Sequence, residues 1–134
     1  MKNKLTPLPE HTPITYKTLL KLLNTNGFKY SKAHTIKDSY LSVPEKQILV
    51  DNEVLGIYEY RSNISMEKDA SYIDKSGCSI CTPYLIVHLC VQAYPYFFKK
   101  DRLIINYVGT NESILEFLNT NFGPPFAGHE CSNN

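Results

Sequence analysis

Two pairs of short β-rich runs, each divided by a polar turn, constrain the fold of this chain more than any other feature of its sequence. Both turns contain residue types that tolerate the conformations of a tight hairpin. The runs are 47–50 and 54–60 around the turn 51–53, and 96–98 and 103–108 around the turn 99–102. Because a hairpin joins antiparallel neighbours, the sequence predicts a sheet built from antiparallel pairs.

Three further segments carry apolar residues at helical spacing, with polar caps before them. They run from Thr15 to a stop at Asn26-Gly27, from a cap at Ser62, Asn63 or Ser65 through Met66, Ala70 and Ile73, and from a cap at Thr110 or Asn111 to a stop at Gly123-Pro124. Strands and helices do not alternate regularly along the chain. We therefore predict an α+β fold, a single domain in which an antiparallel β-sheet has two to three helices packed on one face.

Residues 84–91 form the densest apolar run, and Pro83 and Pro95 lie outside it. A strand buried on both faces has this composition and excludes proline from its hydrogen-bond ladder. The run is therefore expected to be a central strand of the sheet. Residues 28–36 predict a further strand, although their apolar alternation is imperfect.

The chain has 134 residues, of which 43% are hydrophobic and 20% are charged, which suits one buried core. We predict an extended N-terminal arm at 1–13, a single domain at 14–128 and a short polar tail at 129–134. No apolar run is long enough to cross a bilayer. The N-terminus lacks the apolar stretch of a secretory signal, so we expect a cytoplasmic chain, or an exported one whose signal or lipid anchor has been removed.

Four potential ligands for a soft metal lie close together in the sequence: Cys78, Cys81, His88 and Cys90. Zinc accepts such a set in tetrahedral geometry, and on a strand His88 and Cys90 share a face. A Cys78–Cys81 disulfide is one alternative. Another is that Cys90 is a small buried core residue, which the apolar run around it favours. We therefore predict no resident cofactor and keep zinc as the alternative.

The segment 94–102 combines aromatic and basic side chains, and those suited to a binding surface are Tyr94, Tyr96, Phe98, Lys99, Lys100 and Arg102. Single-stranded nucleic acid is bound by such residues, but a formal net charge of +1 disfavours that partner. Tyrosine and arginine are favoured at protein interfaces. The alternative is that every second aromatic residue faces the core and that the charges are solvated at the turn. We predict a protein partner.

No glycine-rich phosphate loop, nucleophile elbow or zinc-protease motif occurs in the sequence. Cysteines and histidines can be paired as nucleophile and base, but no local signature selects one pair. The leading interpretation is a small non-enzymatic binding or protein-interaction domain that uses the 94–102 hairpin or a sheet edge. The alternatives are a metal-binding or thiol protein and an enzyme without a recognisable local motif.

In residues 95–128 a strand that ends in Tyr-Val-Gly is followed by a helix and by Gly-Pro-x-Phe-Ala-Gly. The residues of this pattern are Tyr107, Val108, Gly109, Gly123, Pro124, Phe126, Ala127 and Gly128. It resembles the closing stretch of a family of small bacterial proteins of unknown function, many of them predicted exported lipoproteins. Upstream, Ala70 and Gly77 are in matching places, so the resemblance covers roughly residues 40–128. The family has small residues where Cys78 and Cys81 stand, so the resemblance informs the fold and disfavours a metal site unless this member has acquired its own.

Overall fold

The computed structural model of the chain describes residues 13–88 and 95–128. Its elements in these ranges are α1 (Tyr16–Thr25), β1 (Tyr30–Ile36), β2 (Glu45–Val50), β3 (Glu53–Glu59), α2 (Asn63–Ala70), β4 (Ser79–Cys81), β5 (Ile86–His88), β6 (Tyr96–Lys100), β7 (Leu103–Tyr107), α3 (Glu112–Phe122) and β8 (Ala127–Gly128). The predicted α+β class is confirmed. No helix in these ranges is long and apolar enough to span a membrane. The predicted arm at 1–13 and tail at 129–134 fall almost wholly outside the described residues.

Six strands form one antiparallel sheet in the order β1-β2-β3-β7-β6-β8, and β4 and β5 form a separate hairpin. Both predicted hairpins are present, with turns tighter than expected. Val50 pairs with Glu53, so the first turn contains only Asp51 and Asn52. Their φ angles of 51° and 68° are those of a two-residue turn that matches the twist of the flanking strands.

The central strands of the sheet are buried on both faces, whereas β1 is largely exposed. In β3, Leu55 and Ile57 point to one face and Tyr58 to the other, because successive strand residues alternate. The first face, here called the α1/α3 face, carries Ile48, Val50, Leu55, Ile57, Phe98, Leu103, Ile105 and Tyr107 under the two helices. The second, here called the α2 face, carries Tyr58, Phe97 and Ile104 under Met66, Ala70, Ile73 and Ile80. Two helices thus share a face, as predicted, and α2 covers the opposite one.

The N-terminus of α1 is fixed to the sheet by two carboxylates. Glu59 Oε2 accepts a hydrogen bond from the Tyr16 amide at 3.0 Å, and Asp101 Oδ2 accepts one from the Ile14 amide at 2.6 Å. Thr15 and Thr18 complete a capping box. The Tyr16 amide is among the first amides of the helix, which lack partners within it and favour negative charge, and the Ile14 amide lies just before the cap. Together the two contacts orient α1 over β3 and the β6–β7 turn.

The prediction that residues 84–91 form a central strand is wrong. Within this run only Ile86–His88 is a described strand, and it pairs with β4 outside the main sheet. Tyr84, Leu85 and Ile86 are 95%, 51% and 63% exposed. The central strands are β3 and β7. A short apolar run indicates that a segment is hydrophobic. Its place in the sheet depends on pairing with strands elsewhere in the chain, which the run itself does not specify.

Three residues of the Tyr-Val-Gly and Gly-Pro-x-Phe-Ala-Gly pattern fix the start and end of α3 and the position of β8: Tyr107, Gly123 and Gly128. The Tyr107 hydroxyl donates to Glu53 and accepts from the Asn111 amide at 3.0 Å, at the start of α3. Gly123 ends α3 with a φ of 82°. A Cβ on Gly128 would overlap the carbonyl oxygen of Pro95, so only glycine allows this approach of the two backbones.

The core position of Leu118 gives a first prediction. Its side chain is fully buried against the α1/α3 face, so Leu118→Ala is expected to lower the free energy of unfolding by about 2 to 5 kcal/mol. Glu116→Ala, on the exposed side of the same helix, is the matched control and is expected to change it by less than about 0.5 kcal/mol. Urea denaturation measures both. Equal losses would contradict the orientation of α3.

Alanine substitutions at two glycines distinguish the cost of backbone strain from the cost of steric overlap. Gly27 and Gly128 both have positive φ angles, 86° and 97°, but a Cβ on Gly27 has nothing within 4 Å. Gly27→Ala therefore carries only the strain of its backbone, about 1 to 2 kcal/mol. Gly128→Ala adds overlap with Pro95 and is expected to lower the melting temperature clearly further. Similar melting temperatures for the two variants would show that β8 does not pack against Pro95.

Candidate functional site

The described members of the predicted metal set do not converge. Cys81 is an exposed free thiol, and His88 is exposed with its Nδ1 3.0 Å from the Ser79 hydroxyl. Cys78 is disulfide-bonded, and Cys90 lies outside the described residues. Within 13–88 and 95–128, no group of three or more His, Cys, Asp and Glu side chains is placed to hold a metal ion.

The state of Cys78 bears on both cysteine alternatives. A Cys78–Cys81 disulfide is wrong, because Cys81 is free while Cys78 is disulfide-bonded. Zinc is bound by thiolates, so a zinc site that includes Cys78 requires the disulfide to be reduced first.

The aromatic residues of the 94–102 hairpin point mainly inward. Phe98 is fully buried on the α1/α3 face, which corrects its assignment to a binding surface: strand alternation turns it toward the core. Tyr96 is half-buried and its ring is stacked with those of Phe98 and Tyr107. Tyr94 lies outside the described residues.

Two of the three predicted basic residues have partners within the fold. Lys99 forms an ion pair with Glu67 at 2.6 Å, and its Nζ lies 5.0 Å from the ring centre of Phe126. Arg102 donates to the backbone carbonyl of Tyr60 at 3.2 Å. Lys100 is exposed at the end of β6. Lys99 thus joins β6 to α2, and Arg102 joins the β6–β7 turn to the end of β3.

A cavity of about 490 Å³ opens on the α2 face, here called the α2 cavity. Three segments meet around it: the loop before β2, the helix α2 with Tyr72 behind it, and the tip of the β4–β5 hairpin. Its walls are Tyr40, Leu41, Ser42, Ser65, Lys68, Asp69, Tyr72, Thr82, Pro83 and Tyr84. Its volume lies within the range of small-ligand and side-chain pockets.

Asp69 is the one charged side chain that is buried among the described residues, with 5% of its surface exposed. Its Oδ2 accepts three hydrogen bonds, from the Ser42 amide and the Ser42 hydroxyl, both at 2.7 Å, and from the Tyr60 hydroxyl at 2.8 Å. These bonds fasten the loop before β2 to α2 and to the end of β3. The pKa of Tyr60 is raised, first by burial and then by the Asp69 carboxylate.

The hairpin tip stands at the mouth of the cavity. Thr82 and Leu85 exchange backbone hydrogen bonds, at 2.9 and 3.4 Å, around Pro83 and Tyr84. This closed turn holds the Tyr84 side chain out from the protein. Ile80 of β4 is buried and bridges to Ile73, which roots the hairpin in the core. The exposed apolar tip is thus carried by an ordered base.

The sequence carries one signal for this cavity, which lies on the buried face of α2. Met66, Asp69, Ala70 and Ile73 fall at i, i+3, i+4 and i+7, so a carboxylate occupies a position on the buried face of α2. A charge at such a position indicates a structured polar site. Nothing local identifies Ser42 as its partner, 27 residues earlier in the chain.

Comparisons with known protein families, with curated proteins and with solved structures find no match to this chain. The resemblance to the bacterial family stays a prediction.

The hydrogen bond between Tyr60 and Asp69 yields a stability prediction. Tyr60→Phe keeps the ring but removes the hydroxyl, and hydrogen bonds to charged groups contribute about 1.5 to 3 kcal/mol. We expect a loss of that size at neutral pH, measured by urea denaturation. Tyr40→Phe, at an exposed wall of the same cavity, is the matched control and is expected to leave stability unchanged.

Alkaline pH provides an independent prediction. Burial, and then Glu53, raise the pKa of Tyr107 to about 12, and burial also raises the pKa of Tyr58 and Tyr60. The folded state therefore favours the neutral phenols, so their contribution to stability is complete below pH 10 and is lost as pH rises toward 12 and above. The chain has ten tyrosines and no tryptophan, so phenolate absorbance reports them cleanly. Ionisation of all ten before the protein unfolds would contradict this burial.

Proposed function

We propose that the protein is a binding domain without catalytic activity that holds a protein partner on the β4–β5 hairpin tip and the mouth of the α2 cavity. One observation carries this proposal: Tyr84, Leu85 and Ile86 are consecutive, apolar and at least half exposed. A contiguous apolar patch that a fold leaves in water typically marks an interaction surface. Because the base of the hairpin is already ordered, binding at this patch does not lose the conformational entropy of a flexible loop.

The other two surfaces predicted from the sequence have less support. The hairpin 94–102 keeps Lys100 exposed, but Phe98 is buried and Lys99 and Arg102 have partners in the fold. The exposed sheet edge is β1. It carries Lys32 and an irregular register between Lys32 and His34, and both features protect edge strands against pairing with another chain.

The residues of the α2 cavity support binding over catalysis. Two pairs in the cavity have the residue types of a nucleophile and a base: Ser42 with Asp69, joined by a hydrogen bond at 2.7 Å, and Ser65 with Lys68, one helical turn apart on α2. The Ser65 hydroxyl instead accepts a hydrogen bond from Ser62 at 3.0 Å, and no hydrogen bond joins it to Lys68. The carboxylate of Asp69 is used to hold Ser42 and Tyr60.

Export of the chain belongs to the same proposal. Disulfides persist in oxidising compartments, so the disulfide at Cys78 supports an extracytoplasmic setting. The resemblance to a family rich in predicted exported lipoproteins points the same way. The zinc alternative is tested separately, by native mass spectrometry of the reduced protein, where a stoichiometric mass excess of zinc would establish it.

The interaction surface is tested with a partner trapped in the natural host. A photo-crosslinking amino acid at position 84 captures the protein that touches the hairpin tip, and calorimetry with that purified protein then compares variants. Leu85→Ser is expected to weaken binding about tenfold or more, as at an interface hot spot. Val108→Ser is the matched control, because Val108 is 49% exposed and Leu85 is 51% exposed.

Two results would contradict the proposal. In the first, Leu85→Ser and Val108→Ser bind the captured protein as the unchanged chain does. In the second, Lys100→Ala weakens binding while Leu85→Ser does not, which would return the interface to the 94–102 hairpin.

A further inference from the structure

The carboxylate of Asp69 is buried without a cationic partner. All three of its hydrogen bonds come from neutral donors, and the ion pairs among the described residues are Lys46–Glu59 and Lys99–Glu67. Buried charges in proteins are ordinarily paired with a charge of opposite sign. The site around Asp69 is therefore electrostatically suited to receive a cation.

The hydrogen bonds of Asp69 all lie on one oxygen of its carboxylate. The three donors all bind Oδ2, so Oδ1 is the oxygen that remains for an additional donor. Asp69 itself lines the α2 cavity. A cation in the cavity would therefore lie beside this carboxylate while Oδ2 keeps its bonds to Ser42 and Tyr60.

Two tyrosines with partly covered side chains line the same cavity: Tyr72, which is half-buried, and Tyr40, which is 51% exposed. Aromatic faces attract ammonium and guanidinium groups, and the attraction grows when the cation is taken out of water. The tyrosines also cover the apolar stem of a long basic side chain. A volume of about 490 Å³ accommodates such a side chain.

We infer that the α2 cavity binds a basic side chain of the protein partner, an arginine guanidinium or a lysine ammonium, with Asp69 as its counter-ion and the tyrosines around it. This inference rests on the proposed function for its occupant. The hairpin tip provides apolar contact area, and the cavity selects a partner that places a positive charge beside that contact. Charge of this kind contributes specificity more than raw affinity.

The positive charge of Lys68 repels a cation in the α2 cavity, which provides a test of the inference. Lys68 is exposed, lines the same cavity and precedes Asp69 in α2. A bound cation therefore meets repulsion from its ammonium group. Removing that group is expected to strengthen the binding of a cation, whereas the loss of a residue that contacts the ligand would weaken it.

The inference is tested with ethylguanidinium chloride as the probe and ethylurea, its neutral counterpart of similar shape, as the matched control. Amide chemical shifts of the full chain are followed by NMR at constant ionic strength. We expect ethylguanidinium to bind with a Kd on the order of millimolar, as suits so small a ligand. Ethylurea is expected to bind at least about tenfold more weakly, because it lacks the charge.

Two variants assign the binding to Asp69. Asp69→Asn keeps a carbonyl acceptor but removes the charge, and it is expected to weaken ethylguanidinium about tenfold. Lys68→Ala leaves the core intact and is expected to bind ethylguanidinium about two- to fivefold more tightly, the effect of one partly exposed charge. Equal binding of the two probes, or a Lys68→Ala variant that binds no more tightly, would overturn the inference. If Asp69→Asn does not fold, the Lys68→Ala result decides.

Leu85→Ser separates this inference from the proposed function, because Leu85 does not line the cavity. This variant is expected to weaken binding of the protein partner and to leave binding of ethylguanidinium unchanged. If Leu85→Ser weakens partner binding while ethylguanidinium and ethylurea bind equally well, the proposed interface is supported and the cation site is contradicted. If ethylguanidinium binding depends on Asp69 while Leu85→Ser leaves partner binding unchanged, the cation site is supported and the proposed interface is contradicted.

Discussion

Burial of β3 and β7 on both faces is the constraint on which the rest of this structure depends. Leu55 and Ile57 require α1 and α3 on one side, and Tyr58 and Ile104 require a second cover on the other. On that second side α2 is only eight residues long, so the loop before β2 and the base of the β4–β5 hairpin complete the cover. A cover assembled from three short pieces leaves a space where they meet, and this space is the α2 cavity.

Asp69 connects the architecture of that cover to its proposed use. Its hydrogen bonds to Ser42 and Tyr60 hold two of the three pieces together, and its charge lies at the wall of the cavity they enclose. Taking a carboxylate out of water costs desolvation, which its three hydrogen bonds oppose. A bound cation would stabilise the buried charge further.

Local chemistry made much of the fold predictable from the sequence. The caps of α2 and α3 and the turn after β2 act through neighbouring residues, so residue type narrowed them to a few candidates, among which the structure selects Ser62, Asn111 and Asp51-Asn52. Long-range pairing was not predictable. The apolar run from Tyr84 has the composition of a core strand, yet its described strand, Ile86–His88, pairs with β4. No local signal distinguishes the two outcomes. Phe98 shows the reverse error, since its neighbours suggested a surface while strand alternation buries it.

Hydrogen–deuterium exchange of the full chain, with and without the partner trapped at position 84, tests the central claim most directly. If the hairpin tip and the α2 cavity form the interface, partner binding slows exchange in residues 39–43 and 82–88 and leaves residues 31–35 of β1 and the turn 101–102 unchanged. Slowed exchange confined to β1 or to the β6–β7 turn would contradict the account and assign binding to a sheet edge or to the aromatic and basic hairpin.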